Sequence, residues 1–435
     1  MARAASVGRP LIPSSVAQND LAVAMERLVS ILGLFVMIGL AWLMSSHRSR
    51  VNWRLVGGGL LLQFTFAVLI LMTKPGQLLF EQLDTIFVTL LSFVDVGSEF
   101  VFGPSFRDHF IAFSVLPTII FFSAFMSIFY YYGVMQWIVG LFARLMQKSL
   151  GTSGAETLSA AANVFVGQTE APLVIRPYID TMTISELNAV MVGGFATIAG
   201  GVLAAYVDMG VSAQHLLAAS VISAPAALLI AKVMQPEVEE PKTLGHVALD
   251  VKDPSSNVLE AIANGTTGGL KLALNVAAML LVFMALVAVV NGLVGWLGIQ
   301  LGYGSVDDPM WSLEAVLSYL FAPLAWVMGI EWKDCFRAGE LLGLKMATNE
   351  FVAYARLSEW QQPDSAIELT DRTKTILTYA LCGFANFSSI GIQLGGIGGI
   401  APNRSGDLAK LGFRAMLGGT LAAFMTACVA GLLIS

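Results

Sequence analysis

The sequence is poor in charge. Only 12% of its 435 residues are Asp, Glu, Lys or Arg, against about a quarter in soluble domains. Some 56% are hydrophobic, and the mean hydropathy is +0.74. A soluble globular domain is excluded; this is an integral membrane protein. The net charge of -6 matters less than where the charges fall. No basic stripe offers a surface to nucleic acid, so no nucleic-acid partner is expected. Cysteine is also scarce: Cys335, Cys382 and Cys428 show no CxxC spacing and read as small apolar packing residues. The four histidines include no His-Glu-x-x-His, and His215 reads as a packed residue of its span. Asp208 sits at a span edge with no visible second aspartate. An intramembrane zinc, serine or aspartyl enzyme is therefore excluded. The glycine-rich run Gly265-Thr266-Thr267-Gly268-Gly269 lacks the Gly-Lys-Ser/Thr ending of a phosphate-binding loop. Residues 1–24 have no apolar core and are no signal peptide. They read as a flexible extension, and Met25 is the expected true start.

What is present is a set of long apolar runs. A spanning helix needs about 20 apolar residues, and eight runs qualify: 28–45, 55–72, 110–131, 187–207, 211–231, 272–297, 376–400 and 413–434. Residues 77–106 carry Asp84, Asp95 and Glu99 and read as an interfacial helix plus loop. Residues 236–265 hold Pro236, Pro241 and Pro254 and read as a loop with a surface helix. Residues 152–177 and 333–360 are too polar to span, yet hold apolar cores at Phe165-Val166 and Leu341–Leu344. They are expected to enter the membrane part-way and return. Backbone of that kind survives only where protein or a water-filled cavity covers it. The short loop with His47, Arg48, Arg50 and Arg54 is expected on the cytoplasmic side, which puts both termini outside. The two re-entrant segments then enter from opposite sides. The cluster Lys333, Arg337 and Lys345 falls outside and violates the charge rule.

Two glutamates sit within this apolar chain. Glu170 lies in Gly167-Gln168-Thr169-Glu170-Ala171-Pro172, and Glu350 in Thr348-Asn349-Glu350-Phe351-Val352-Ala353-Tyr354. An ionisable group at membrane depth costs a few kcal/mol or more and marks a functional cavity. Each is followed by a glycine-rich break inside an apolar run: Gly193-Gly194-Phe195-Ala196-Thr197 and Gly383-Phe384-Ala385-Asn386. Glycine costs about 1 kcal/mol against alanine inside a helix. Such clusters beside polar residues predict unwound helix, whose freed carbonyls can hold a cation or polar solute. Close packing through small residues is the plainer alternative. A repeated glutamate and helix break suits a transporter of two related halves better than a channel. Gln168, Thr169, Glu170, Glu350, Asn386 and Ser389 supply the donors and acceptors that a sugar-plus-ring solute would need, and Phe384 could lie against a flat ring.

The runs 167–178, 348–354 and 382–391, together with Ser45–Arg48 and Val51–Arg54, resemble the signatures of the concentrative nucleoside transporters. The resemblance covers residues 25–435, and its nearest type is the bacterial sodium/nucleoside symporter. It implies an all-α polytopic membrane protein with eight transmembrane helices, two re-entrant helical hairpins in inverted repeats, interfacial helices, and a scaffold plus a transport domain. In these terms residues 25–131 would be scaffold helices and 132–235 the first transport repeat. Residues 236–270 would be a cytoplasmic linker with an interfacial helix, 271–305 a scaffold helix, and 306–435 the second repeat. The resemblance further implies nucleobase contacts from Gln168 and Thr169, with Glu170 nearby. It gives ribose contacts to Glu350, Asn386 and Ser389, and a pocket lining to Phe384 and Val202. A sodium ion would be held by Asn163, Val166, Thr197 and Ile198, largely through main-chain oxygens. It implies a homotrimer in the bacterial inner membrane with an elevator-like transport domain. The intact Gln-Thr-Glu-Ala-Pro tip favours sodium over the proton coupling of some bacterial members, and Gly167-Gln168 resembles the broad-selectivity form that takes purines and pyrimidines. Proton coupling, or another small polar solute, stays open.

Overall fold

The computed structural model describes residues 15–244, 255–303, 305, 311–362 and 365–434. Apart from one isolated bridge between Ser153 and Leu244, the described residues are helical or irregular. The chain opens with α1 (Ser15–Leu43), α2 (Trp53–Leu71), α3 (Lys74–Phe102) and α4 (Leu116–Tyr131). A first block follows: α5 (Val134–Leu150), α6 (Gly154–Ala162), α7 (Ala171–Val174), α8 (Arg176–Ile179), α9 (Ile184–Ala196), α10 (Gly200–Asp208) and α11 (Ala213–Met234). Then comes α12 (Val258–Gln300). A second block repeats the first order: α13 (Leu313–Val327), α14 (Trp332–Ala347), α15 (Glu350–Trp360), α16 (Asp371–Leu381), α17 (Phe387–Ile400) and α18 (Ser405–Leu433). Each block is a helix, a helical hairpin, a broken helix and a long closing helix.

Among the described residues, eight stretches are long and apolar enough to cross a membrane, but they are not the eight read from the sequence. The run 376–400 divides into α16 and α17, each too short to span. Residues 77–102 of the segment read as an interfacial helix plus loop belong instead to one continuous 29-residue helix, α3, long and apolar enough to span. Its acidic residues looked like loop charges because their partners lie far off or past the helix end. Asp84 accepts the Gln214 N–H at 3.1 Å, and Asp95 pairs with Arg107 at 2.6 Å. The linker reading is also corrected. No separate surface helix ends near 270, because α12 runs unbroken for 43 residues, about 64 Å at 1.5 Å per residue. Two of its interior glycines face α4: a Cβ on Gly265 would lie 2.6 Å from Ser127 Oγ, and one on Gly269 2.7 Å from Ser123 Cβ. At the N-terminus, residues 1–14 lie outside the described residues, while 15–24 are already helical.

Burial sorts the helices into two layers. In the most apolar window of α11, 94% of residues are buried, against 11% in α3 and 12% in α12. The inner layer is α9, α11 and α18, which pack on one another. The outer layer, α3, α4 and α12, turns large apolar side chains such as Phe100, Leu281 and Trp296 outward, as a lipid-facing surface requires. Arg372 ties the inner layer to α1: it pairs with Glu26 at 3.0 Å and donates to the carbonyls of Gly431 and Ile434.

Candidate functional site

Both predicted helix breaks exist, and they meet. The first interrupts α9 and α10 at residues 197–199, where Thr197 turns extended. The second interrupts α16 and α17 at residues 382–386. Here Gly383 adopts φ +140°, a region that side chains disfavour. A Cβ there would also strike the Phe195 carbonyl at 2.8 Å. The next N–H, of Phe384, donates to the Thr197 carbonyl at 3.3 Å.

The two hairpin tips close on this crossing. Hairpin 1 is α6 with its return leg α7–α8. Its α6 starts with a reciprocal cap between Ser153 and Glu156. Its tip rests on the first break through the Gly200 N–H, which donates to the Phe165 carbonyl at 3.2 Å. Gln168 then reaches α17, donating to Ser389 Oγ at 3.1 Å and accepting from Gln393 Nε2 at 3.0 Å. The absence of a side chain on Gly194 makes room, since a Cβ there would be 2.9 Å from Gln168 Cβ. Hairpin 2 is α14 and α15, with Asn349 capping α15. Its Glu350 is 5% exposed and accepts from Tyr206 Oη at 2.8 Å and Asn386 Nδ2 at 3.0 Å. Asn386 also caps α17 through the Ser389 N–H at 2.9 Å. Gln168, Ser389, Asn386 and Glu350 thus form one hydrogen-bonded series across both blocks.

Glu170 lies apart from this series. It is exposed on a cavity of about 470 Å³ bounded by hairpin 1, α4, α5, α10 and α12, and is the only formal charge on that wall among the described residues. Its carboxylate accepts the Gly167 N–H at 3.1 Å. Thr169 is half-buried against Gly396, Phe384 is half-buried, and Val202 is buried in α10. None of these three touches the cavity wall.

A second group of oxygens lies where hairpin 1 meets the first break. Asn163 is 1% exposed, and neither its Oδ1 nor its Nδ2 has a partner. Leaving such groups unpaired costs about 1–3 kcal/mol. Among the described residues neither the Val166 nor the Ile198 carbonyl accepts a hydrogen bond. The Thr197 hydroxyl donates to the Gly193 carbonyl at 2.9 Å and keeps its lone pairs. Neutral oxygens only, from side chain and main chain, suit a hard cation.

Three family models match the chain in order. They are the Na+ dependent nucleoside transporter N-terminus over residues 32–105, nucleoside recognition over 112–213, and the Na+ dependent nucleoside transporter C-terminus over 215–431. A transporter of Haemophilus influenzae described as uncharacterized is 47% identical, covering 94% of this chain and 98% of its own. The chain belongs to the sodium-dependent nucleoside transporter family. Solute carrier family 28 member 3 of Homo sapiens is 44% identical over 94% of the chain, and sodium/nucleoside cotransporter 1 of Rattus norvegicus is 44% identical over 95%. The chain spans about three fifths of the length of these animal relatives, 60% and 65%. The solved structure of CNTnw in an inward-facing substrate-bound state has a TM-score of 0.87 at 42% identity, covering 93% of this chain and 97% of that one. An outward-facing CNTnw structure gives the same TM-score. Proteins of this transporter family are carriers, not enzymes.

Within this transporter fold, sequence reasoning missed four residues. Tyr206 and Gln393 are fully buried partners of Glu350 and Gln168. Gln393 had a signal: it shares one face of α17 with Asn386 and Ser389 at helical spacing. Tyr206 had none. The hydroxyl of Tyr130 is buried without a partner beside the Glu170 cavity. Lys345, counted with Lys333 and Arg337 in a charge cluster on the outer side, is 1% exposed inside hairpin 2.

Proposed function

We propose that this chain is a secondary active symporter that couples inward sodium movement to nucleoside uptake. The observation that carries this reading is the hydrogen-bonded series Gln168–Ser389–Asn386–Glu350, set beside the unpartnered Asn163 side chain. The series offers carboxylate and amide groups of the kind that take up sugar hydroxyls and base edges. In this reading Glu350, Asn386 and Ser389 hold the ribose. Gln168 and Thr169 read the base, with Glu170 nearby, and Phe384 and Val202 line the pocket. Sodium takes the oxygens of Asn163, Val166, Thr197 and Ile198.

Coupling follows from the shared hairpin. A ligand shifts a conformational equilibrium only through its differential affinity. Asn163 and Val166 precede Gln168 and Thr169 on one tip, so an ion that orders the tip pre-forms the base contacts. Such coupling is typically 1–3 kcal/mol. The two blocks would move together as a transport domain against α1–α4 and α12, in an elevator-like cycle. The protein would act as a homotrimer in the lipid of the bacterial cytoplasmic membrane, with hairpins that enter from opposite sides and both termini periplasmic. Proteoliposomes under an imposed sodium gradient or a pH gradient test the reading. Uptake of labelled uridine and adenosine above equilibrium with sodium alone, with mutual competition, is expected. Accumulation driven only by the pH gradient overturns the sodium assignment. No accumulation by folded protein under either gradient overturns the nucleoside assignment.

A further inference from the structure

Gln393 is fully buried on α17 and leaves its own Oε1 without a partner. An unpaired amide oxygen in an apolar interior is costly, so this glutamine is poor filler. Its Nε2, by contrast, is doubly committed. It donates to the Met191 carbonyl of α9 at 3.1 Å and to Gln168 Oε1 at 3.0 Å. Gly194 leaves the space for it: a Cβ there would lie 2.8 Å from Gln393 Nε2. The same face of α17 meets the tip of hairpin 1 on either side. Ser389 accepts from Gln168 one turn before, and a Cβ on Gly396 would lie 2.7 Å from Thr169 Cγ2. Positions 389, 393 and 396 form one stripe at helical spacing, and the tip is laid along it.

Polarity runs through this series from a fixed end. A backbone carbonyl only accepts hydrogen bonds. The Gln393 atom that meets Met191 is therefore its NH2, because an oxygen there would set two acceptors 3.1 Å apart. The same NH2 faces Gln168, which has to answer with its oxygen. That turns Gln168 Nε2 toward Ser389 Oγ, at 3.1 Å. Ser389 cannot impose this sense itself, since a hydroxyl donates or accepts equally well. The Met191 carbonyl imposes it, through Gln393. An amide nitrogen has two hydrogens, so Gln168 Nε2 keeps a second N–H beyond the one given to Ser389.

We infer that Gln393 is a positioning residue for base recognition. It locks the Gln168 amide with its nitrogen toward Ser389, so that the tip offers the base a hydrogen-bond donor. The base edge that answers it carries an acceptor, either a carbonyl oxygen or an unprotonated ring nitrogen. Pyrimidine and purine nucleosides both have such acceptors, so the lock selects a polar ring edge rather than one class of base. The inference rests on the base-reading role proposed for Gln168 above.

The test uses the purified full-length chain in proteoliposomes with a sodium gradient. It compares half-saturation for uridine with the inhibition constant of β-D-ribofuranosylbenzene, whose ring has no acceptor on its edge. The variants are Gln168→Ala, Gln393→Met and the double variant. Gln393→Glu is a second way to remove the lock: it keeps the shape and loses the NH2. Wild type is expected to favour uridine by about tenfold or more, as a site built to hydrogen-bond its ligand does. Gln393→Met and Gln393→Glu should each raise the uridine constant about fivefold and leave the ribosylbenzene constant within about twofold. A general loosening of the tip would raise both constants alike. The double variant should be no worse than Gln168→Ala alone, because Gln393 acts through Gln168. Gln393 variants that keep the uridine preference, or that raise both constants equally, overturn the inference while the Gln168 role stands. A Gln168→Ala protein that keeps the preference, or a wild type without one, overturns both.

Discussion

The two hairpins carry the same motif and use it differently. In hairpin 2, Glu350 is buried and held by Tyr206 and Asn386. In hairpin 1, Glu170 faces a cavity and is tied only to its own tip through the Gly167 N–H. The two acids sit at the tips of the two hairpins, and their surroundings separate them. One is held as an acceptor by two buried donors, and the other lines a cavity beside α4 and α12. Hairpin 1 carries a different element, the unpartnered Asn163.

If that division holds, Glu350→Gln gives the largest loss. Nucleoside half-saturation should rise more than tenfold in labelled-uridine uptake, and a near-wild-type value would erase the contrast. Asn163→Ala comes next. It should raise the sodium concentration for half-maximal uptake about fivefold to tenfold while leaving nucleoside half-saturation at saturating sodium within about threefold. A reversed pattern would move sodium away from hairpin 1. Tyr206→Phe removes one hydrogen bond to a charged acceptor, worth about 1.5–3 kcal/mol at most, and should weaken uridine uptake about threefold to tenfold. Glu170→Gln sits at the bottom of the series, about twofold to fourfold, because the amide oxygen of Gln can still accept the Gly167 N–H, the one hydrogen bond that the carboxylate makes. A loss equal to that of Glu350→Gln would show the two acids to be equivalent after all.

Much of this contrast was hidden in one dimension. Both glutamates and both breaks were legible, because an acid or a glycine cluster is costly inside an apolar run and stands out there. The difference between the acids was not, because it depends on partners such as Tyr206, distant in sequence and unremarkable within an apolar helix. Asp84 and Asp95 misled in the opposite sense. Their charges marked residues 77–106 as an interfacial helix plus loop, whereas Gln214 and Arg107 satisfy them and α3 stays unbroken. Lys345 misled as well, since an outer charge and a buried one look alike until the fold is known. Residues 152–177 were read as too polar to span, and the helix within them, α6, is nine residues and about 14 Å long.

The crossing at Gly383 also decides where the molecule can give. Two arms pinned where not even a methyl group fits cannot shear past each other, so their jaws stay at fixed spacing. In the proposed cycle, slack would lie along the seam between the blocks and α4, where a Cβ on Gly201 of α10 would come within 3.2 Å of Ser123 Oγ. The design is a stiff clamp on a smooth rail. Roughening the rail with larger side chains should slow its travel without loosening the clamp.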